Sequence, residues 1–171
     1  MMRSVHAPDD NHERCSVQLE HEADTLAAGA ALASALTPGL VIYLTGDLGA
    51  GKTTLVRGAV HALGHEGKVK SPTYTLIEPY VVSRLNLYHF DFYRFNSAEE
   101  FLDAGLEEYF TGSGACLVEW AHKAEPWLPA ADLELILEPE GAGRRLTAVA
   151  RTEAGTLCAK TFLTTLRATR P

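Results

Sequence analysis

The chain has 171 residues, 46% hydrophobic and 22% charged, enough for one sizeable core and too few for two comfortable domains. Lys plus Arg total 15 against 22 Asp plus Glu, and the formal net charge of −7 argues against an unaided, sequence-blind nucleic-acid binder. The longest run without a polar side chain, residues 26–33, is eight residues where a membrane span needs about 20, and the N-terminus has no apolar stretch of the secretory kind.

Residues 1–15 lack an apolar period and read as a disordered leader to a single domain over 16–171. A short strand is expected at 16–19. Residues 20–36 set Ala23, Leu26, Ala27, Ala30, Ala33 and Leu36 at helical spacing, predicting an Ala-rich helix stopped by Thr37-Pro38-Gly39. LVIYL at 40–44 is a continuous apolar run, the mark of a strand buried on both faces of a parallel sheet. A glycine-rich turn and a helix over 52–63, closed by Gly64, follow it. Residues 64–72 read as a loop carrying Lys68 and Lys70. Extended segments at 73–82 and 84–92 are close enough to pair as an antiparallel hairpin. Ser97-Ala98-Glu99-Glu100 has capping-box spacing and opens an acidic helix to about residue 110. A short buried strand is expected at 115–118. Segments 133–137 and 144–151 flank Gly141 and Gly143 as a second hairpin, and a last strand or helix ends the chain. This alternation predicts a three-layer α/β sandwich with a mixed, mainly parallel sheet and added antiparallel hairpins.

The charge is unevenly spread. Residues 97–140 hold eleven acids and one base, Lys123, whereas 141–171 hold six bases and one acid, Glu153. Such a bipolar surface either is simply solvated or orients a partner. The three cysteines, Cys15, Cys116 and Cys158, are widely spaced, form no CxxC pair and fit a reducing, cytoplasmic setting.

The segment Gly46-Asp47-Leu48-Gly49-Ala50-Gly51-Lys52-Thr53 satisfies G-x-x-x-x-G-K-[ST] at every fixed position, with a buried strand before it and an amphipathic helix after. Its glycines let backbone N–H groups, continuing to Thr54, converge on phosphate oxygens. The helix N-terminus adds partial positive charge. Lys52 would bridge the β- and γ-phosphates, and the Thr53 hydroxyl would ligate Mg²⁺. The pattern points to a nucleoside triphosphate in a P-loop NTPase-like sandwich.

Such a loop needs an acid at the end of a neighbouring strand. Two compete: Glu119, after the apolar run CLV, and Asp91, inside the aromatic segment 85–95. Spacing favours Glu119 as the metal ligand and Asp91 as its catalytic or outer companion. No Asn/Thr-Lys-x-Asp run reads guanine and no Asp-x-x-Gly switch occurs, so adenine is the better base. Ser71-Pro72-Thr73 lies where a first switch would sense the γ-phosphate, although a plain loop entering a strand fits equally. Trp120 could cover the nucleotide or dock a partner, with core packing as the default. Trp127 suits surface packing, and His89 reads as a half-buried strand residue.

The runs GDLGAGKTTLVRG (46–58), VKSPTYTLIEPY (69–80), YHFDFYR (88–94), EEFLDAGLEEYF (99–110) and CLVEW (116–120) resemble the TsaE (YjeE) family, over about residues 20–145. Those are small bacterial ATPases of tRNA threonylcarbamoyladenosine biosynthesis. The resemblance implies a weak ATPase that binds ATP or ADP with Mg²⁺. It implies association with the TsaB–TsaD heterodimer, which modifies adenosine 37 of tRNA and is reset by ATP hydrolysis. tRNA would then be met only through that complex. It further implies that Thr53 and Glu119 hold Mg²⁺, that Asp91 and Trp120 are functionally important, and that Ser71-Pro72-Thr73 acts as a switch. Glu22, Gly143 and Arg144 become candidates to flank the base. Residues 151–171 have no counterpart in the resemblance.

A small-molecule or nucleoside kinase of the P-loop class is the alternative. A kinase usually carries an arginine-bearing lid, and no arginine occurs between Arg94 and Arg144. A nucleotide-binding scaffold without hydrolysis is a third reading, opposed by the two acids.

Overall fold

The apolar run after residue 40 forms a strand at the heart of a seven-stranded sheet in the computed structural model, which describes residues 13–82 and 84–169. The strands are β1 (Arg14–Leu19), β2 (Val41–Thr45), β3 (Ile77–Val81), β4 (Asn86–Asp91), β5 (Ala115–Glu119), β6 (Leu133–Glu140) and β7 (Gly143–Ala150). Their spatial order is β1-β7-β6-β2-β5-β4-β3. Neighbours β6, β2, β5 and β4 are parallel, while β3 and β7 run against them as hairpin partners of β4 and β6. Because β1 is antiparallel to β7, five of the seven strands share one direction. This is the expected mixed, mainly parallel sheet with antiparallel hairpins.

Helices cover both faces. On one side lie α1 (Glu22–Ala33), α2 (Lys52–Ala62) and α4 (Glu153–Thr169), packed over Ile42, Leu44, Leu117 and Leu135. The other side holds α3 (Glu100–Asp103) and two 3₁₀ turns, Leu106–Phe110 and Ala121–Ala124. They bury Phe90, Phe92, Phe101 and Val118 in an aromatic cluster whose Phe92 and Phe95 rings stack 4.6 Å apart. Alternation along β4 and β5 sends one residue to each core in turn, which gives three layers.

Four details differ from the sequence reading. β1 begins at Arg14, because Arg14 and Cys15 already pair with Val149 and Ala148; residues 1–12 of the expected leader lie outside the described residues. The buried face of α1 carries Thr25, Ala28, Gly29 and Leu32, while Ala23, Ala27 and Ala30 of the expected stripe are exposed. A helix with alanine on every side does not choose a face by apolarity; Gly29 chooses it by letting α1 lie against α2. The helix also stops at Ala33, where the Arg84 guanidinium donates to the carbonyls of Ala33 (2.5 Å) and Leu36 (3.2 Å). Finally, the acidic helix expected to 110 breaks after Asp103 at Gly105, whose φ of 67° is left-handed, and resumes as 3₁₀. Its capping acid is in place: the Glu100 carboxylate accepts the N–H groups of Asn96 (2.6 Å) and Ser97 (3.1 Å). The undecided last element is the helix α4.

Candidate nucleotide site

The C-terminal ends of β2, β4 and β5 meet at one edge of the sheet, and the glycine-rich turn 46–51 leads from β2 into α2 there. Gly51 is the N-cap of α2 with φ 103°, and a side chain on it would run into Arg144, whose Nε lies 3.0 Å from the ideal Cβ position. Only glycine both takes this turn and leaves room for that guanidinium. Leu48 and Gly49 at the loop's tip are exposed, Ala50 is buried, and Asp47 faces solvent.

Lys52, the first residue of α2, is 6% exposed. Its Nζ donates to the Gly46 carbonyl at 2.5 Å and lies 4.4 Å from the centre of the Trp120 ring. Burial pulls the ammonium below its ordinary pKa, opposed by the charges of Glu119, Asp91 and Asp47. Trp120 follows β5 with φ 57°, a conformation uncommon for a residue of its size, and its ring packs against Tyr93 at 5.1 Å. The default of core packing describes it in part: the half-buried indole packs against the aromatic cluster and has one face on the lysine.

Two carboxylates stand in register, Asp91 at the end of β4 opposite Glu119 at the end of β5. They are wired differently. One oxygen of Asp91 accepts the hydroxyls of Ser71 (2.6 Å) and Thr73 (3.1 Å), and the other accepts the Tyr93 N–H at 2.9 Å. Ser71 and Thr73 also share a 3.0 Å hydrogen bond. Asp91 thus holds the 71–73 loop with one oxygen and the backbone just beyond β4 with the other. Glu119 is 2% exposed, and its Oε2 meets His89 Nε2 at 3.2 Å. Its Oε1 has no hydrogen-bond partner among the described residues. His89 is wholly buried rather than half-buried as its sequence suggests. Its signal was parity: His89 and Asp91 fall on the same side of β4.

Two cavities flank the turn. One of about 290 Å³ gathers Glu22, Thr25, Gly51, Thr54, Gly143 and Arg144, which brings the three base candidates onto the P-loop helix start. The other, about 630 Å³, is bounded by Gly46, Asp47, Lys52, Trp120, Tyr43, Glu134 and Arg151. In it Glu134 accepts from Thr45 (2.9 Å) and Arg151 (2.6 Å). Burial, with Glu125 and Glu134 adding, pushes the Tyr43 hydroxyl up to about 12. Sequence reasoning passed over Tyr43, Glu134 and Arg151, which come from the middle of β2, the start of β6 and the residue after β7.

The donor set suits a magnesium–nucleotide more than a metal alone. Among the described residues no three His, Cys, Asp or Glu side chains gather as a metal cage. One free carboxylate oxygen at Glu119, together with a Thr53 hydroxyl on the first turn of α2 that makes no hydrogen bond among the described residues, matches a cation that draws its remaining ligands from phosphate and water.

Comparison with known proteins fits this arrangement. Residues 19–147 match the family described as "Threonylcarbamoyl adenosine biosynthesis protein TsaE". The tRNA threonylcarbamoyladenosine biosynthesis protein TsaE of Haemophilus influenzae is 44% identical over 116 residues, 68% of this chain and 73% of its own. The protein of that name from Bacillus subtilis is 45% identical over 122 residues, 71% and 76% of the two chains. The crystal structure of YdiB from Bacillus subtilis superposes with a TM-score of 0.78 at 32% identity, covering 91% of this chain and 98% of that one.

Proposed function

This chain belongs to the TsaE family and so to the biosynthesis of threonylcarbamoyladenosine in tRNA, and from that premise we propose that it is a Mg²⁺-dependent, slow ATPase. The observation carrying this reading is the division of labour at the strand ends: Asp91 is committed to the 71–73 loop, and Glu119 keeps one oxygen free beside Lys52. Gly46 to Thr54 wrap the phosphates with backbone N–H groups. Lys52 leaves the Gly46 carbonyl to neutralise β- and γ-phosphate charge. Thr53 and Glu119 hold Mg²⁺, which supplies charge neutralisation across the phosphate oxygens. Ser71 and Thr73 report the γ-phosphate through Asp91, so that loop order follows nucleotide state. The smaller cavity receives adenine between Glu22 and the Gly143-Arg144 turn.

ATPase action in this role is coupled to a partner assembly, the TsaB–TsaD complex, which hydrolysis resets; tRNA is met through that complex. The setting is cytoplasmic. No described helix is long and apolar enough to cross a membrane. One observation favours the kinase alternative: the 630 Å³ cavity beside Lys52 is the size of a small-ligand site and could seat a phosphoryl acceptor.

Phosphate release with and without TsaB–TsaD separates the readings. Stimulation by the partners supports the accessory ATPase, and partner-independent phosphorylation of a metabolite replaces it with the kinase. Lys52→Ala is expected to remove phosphate-dependent nucleotide binding; unchanged affinity would overturn the site itself.

A further inference from the structure

The geometry points to His89 as the positioning residue of the site: its Nε2–H holds the Glu119 carboxylate so that Oε1 stays free for the cation. The inference rests on Glu119 being the metal ligand, as proposed above.

The two side chains are 0% and 3% exposed, with Nε2 and Oε2 3.2 Å apart. An ionised carboxylate can only accept, so His89 is the donor. β4 and β5 are parallel neighbours with His89 opposite Leu117, two residues before Glu119. The ring therefore reaches diagonally along the sheet to the carboxylate, from a strand fixed on both sides.

Two observations separate this role from plain packing. First, His89 Nδ1 is buried with no hydrogen-bond partner among the described residues. A half-satisfied buried imidazole is a poor core residue, and an apolar side chain of similar volume would fill the place at less cost. What an apolar side chain would lack is the bond to Glu119. Second, Glu119 is the foremost charge acting on Lys52, yet the two form no ion pair; Lys52 bonds the Gly46 carbonyl instead. With its other oxygen tied to His89, Glu119 does not collapse onto the lysine. The free Oε1 and the free ammonium remain available for different parts of a magnesium–nucleotide. Outer partners of this kind typically carry about 10–100-fold of metal affinity.

The test measures binding of a non-hydrolysable ATP analogue by calorimetry, with and without excess Mg²⁺, alongside thermal denaturation without nucleotide. His89→Leu is expected to melt at or above the wild-type temperature while losing at least about tenfold of the Mg²⁺-dependent gain in affinity. His89→Gln, whose amide nitrogen can occupy the Nε2 position, retains most of that gain, and His89→Asn, whose amide sits at the Nδ1 position, does not. A full gain in His89→Leu, or equal losses in the Gln and Asn variants, overturns the inference. Should His89→Leu fail to fold, the Gln–Asn comparison decides alone. Glu119→Gln serves as reference. If it keeps the Mg²⁺-dependent gain, the metal assignment of Glu119 is wrong. If it loses the gain while the His89 variants keep it, only the positioning role falls.

Discussion

Replacing Gly58 with alanine tests whether the phosphate-binding helix is held in place by backbone contact with α1. In an unconstrained helix the change would stabilise by about 0.5–1 kcal/mol. Here a Cβ on Gly58 would lie 3.0 and 3.1 Å from the carbonyl carbon and Cα of Leu26, with the Leu26 oxygen nearer still. The opposing Gly29 is equally tight, its added Cβ falling 2.8 Å from Ala59 N and 3.0 Å from Gly58 Cα. Carbon atoms prefer about 3.5–4.0 Å, so the helices must part by roughly 0.5–1 Å. The obstructing atoms are backbone and cannot rotate away. Overpacking costs about 1–3 kcal/mol, and rigid obstruction places this site toward the upper end, so the net loss is about 2 kcal/mol. For a chain of this length that lowers Tm by about 4–8 °C. Thermal or urea unfolding of the nucleotide-free protein reads the change directly. Because α2 begins at Lys52, ADP affinity should fall as well. A Gly58→Ala protein melting at or above the wild-type temperature would refute the tight-crossing argument.

Four further outcomes are expected. Burial pushes the thiols of Cys116 and Cys158 from 9 up to about 12, so native protein at pH 8 should be alkylated by iodoacetamide at the half-exposed Cys15 alone. The same shift gives a sign: unfolded thiols ionise first, so stability falls as pH rises from 9 towards 12, and a stability flat across that range contradicts the burial. Asp91→Ala removes the acceptor for Ser71, Thr73 and the Tyr93 N–H, and amides of the 70–76 segment should exchange faster by mass spectrometry; unchanged exchange means the loop is held by something else. Reversing Glu99, Glu100 and Asp103 to lysine on α3 and its cap should weaken assembly with TsaB–TsaD in gel filtration, and full complex formation rejects the acidic face as a docking surface.

What sequence could show was set by how local each signal is. The strand–glycine turn–helix unit at 41–62 was legible because its strand, spacing and helix are all contiguous, and the observed β2 differs by one residue at each end. Both hairpins were legible for the same reason. The orientation of α1 was not, since an alanine on every side leaves the choice to Gly29 meeting Gly58 from another helix. Spacing favoured Glu119 over Asp91 as the metal ligand but could not show how either carboxylate is held. That depends on Ser71 and Thr73 reaching Asp91 from twenty and eighteen residues away, and on His89 reaching Glu119 across thirty. The edge pairing of β1 with β7 was equally invisible, because nothing within Arg14–Leu19 names its partner.

That pairing imposes an order on the life of the chain. Leu19 stands opposite Arg144, so the smaller cavity is closed by residues far apart in the sequence. The residues of the glycine-rich turn and both carboxylates have been made by residue 119, whereas the wall beside Glu22 waits for β7. Synthesis proceeds at about 5–20 residues per second, so the residues of β7 follow those of β5 by a second or more. The cavity proposed for the base therefore takes shape only after β7 has been made and has paired with β1.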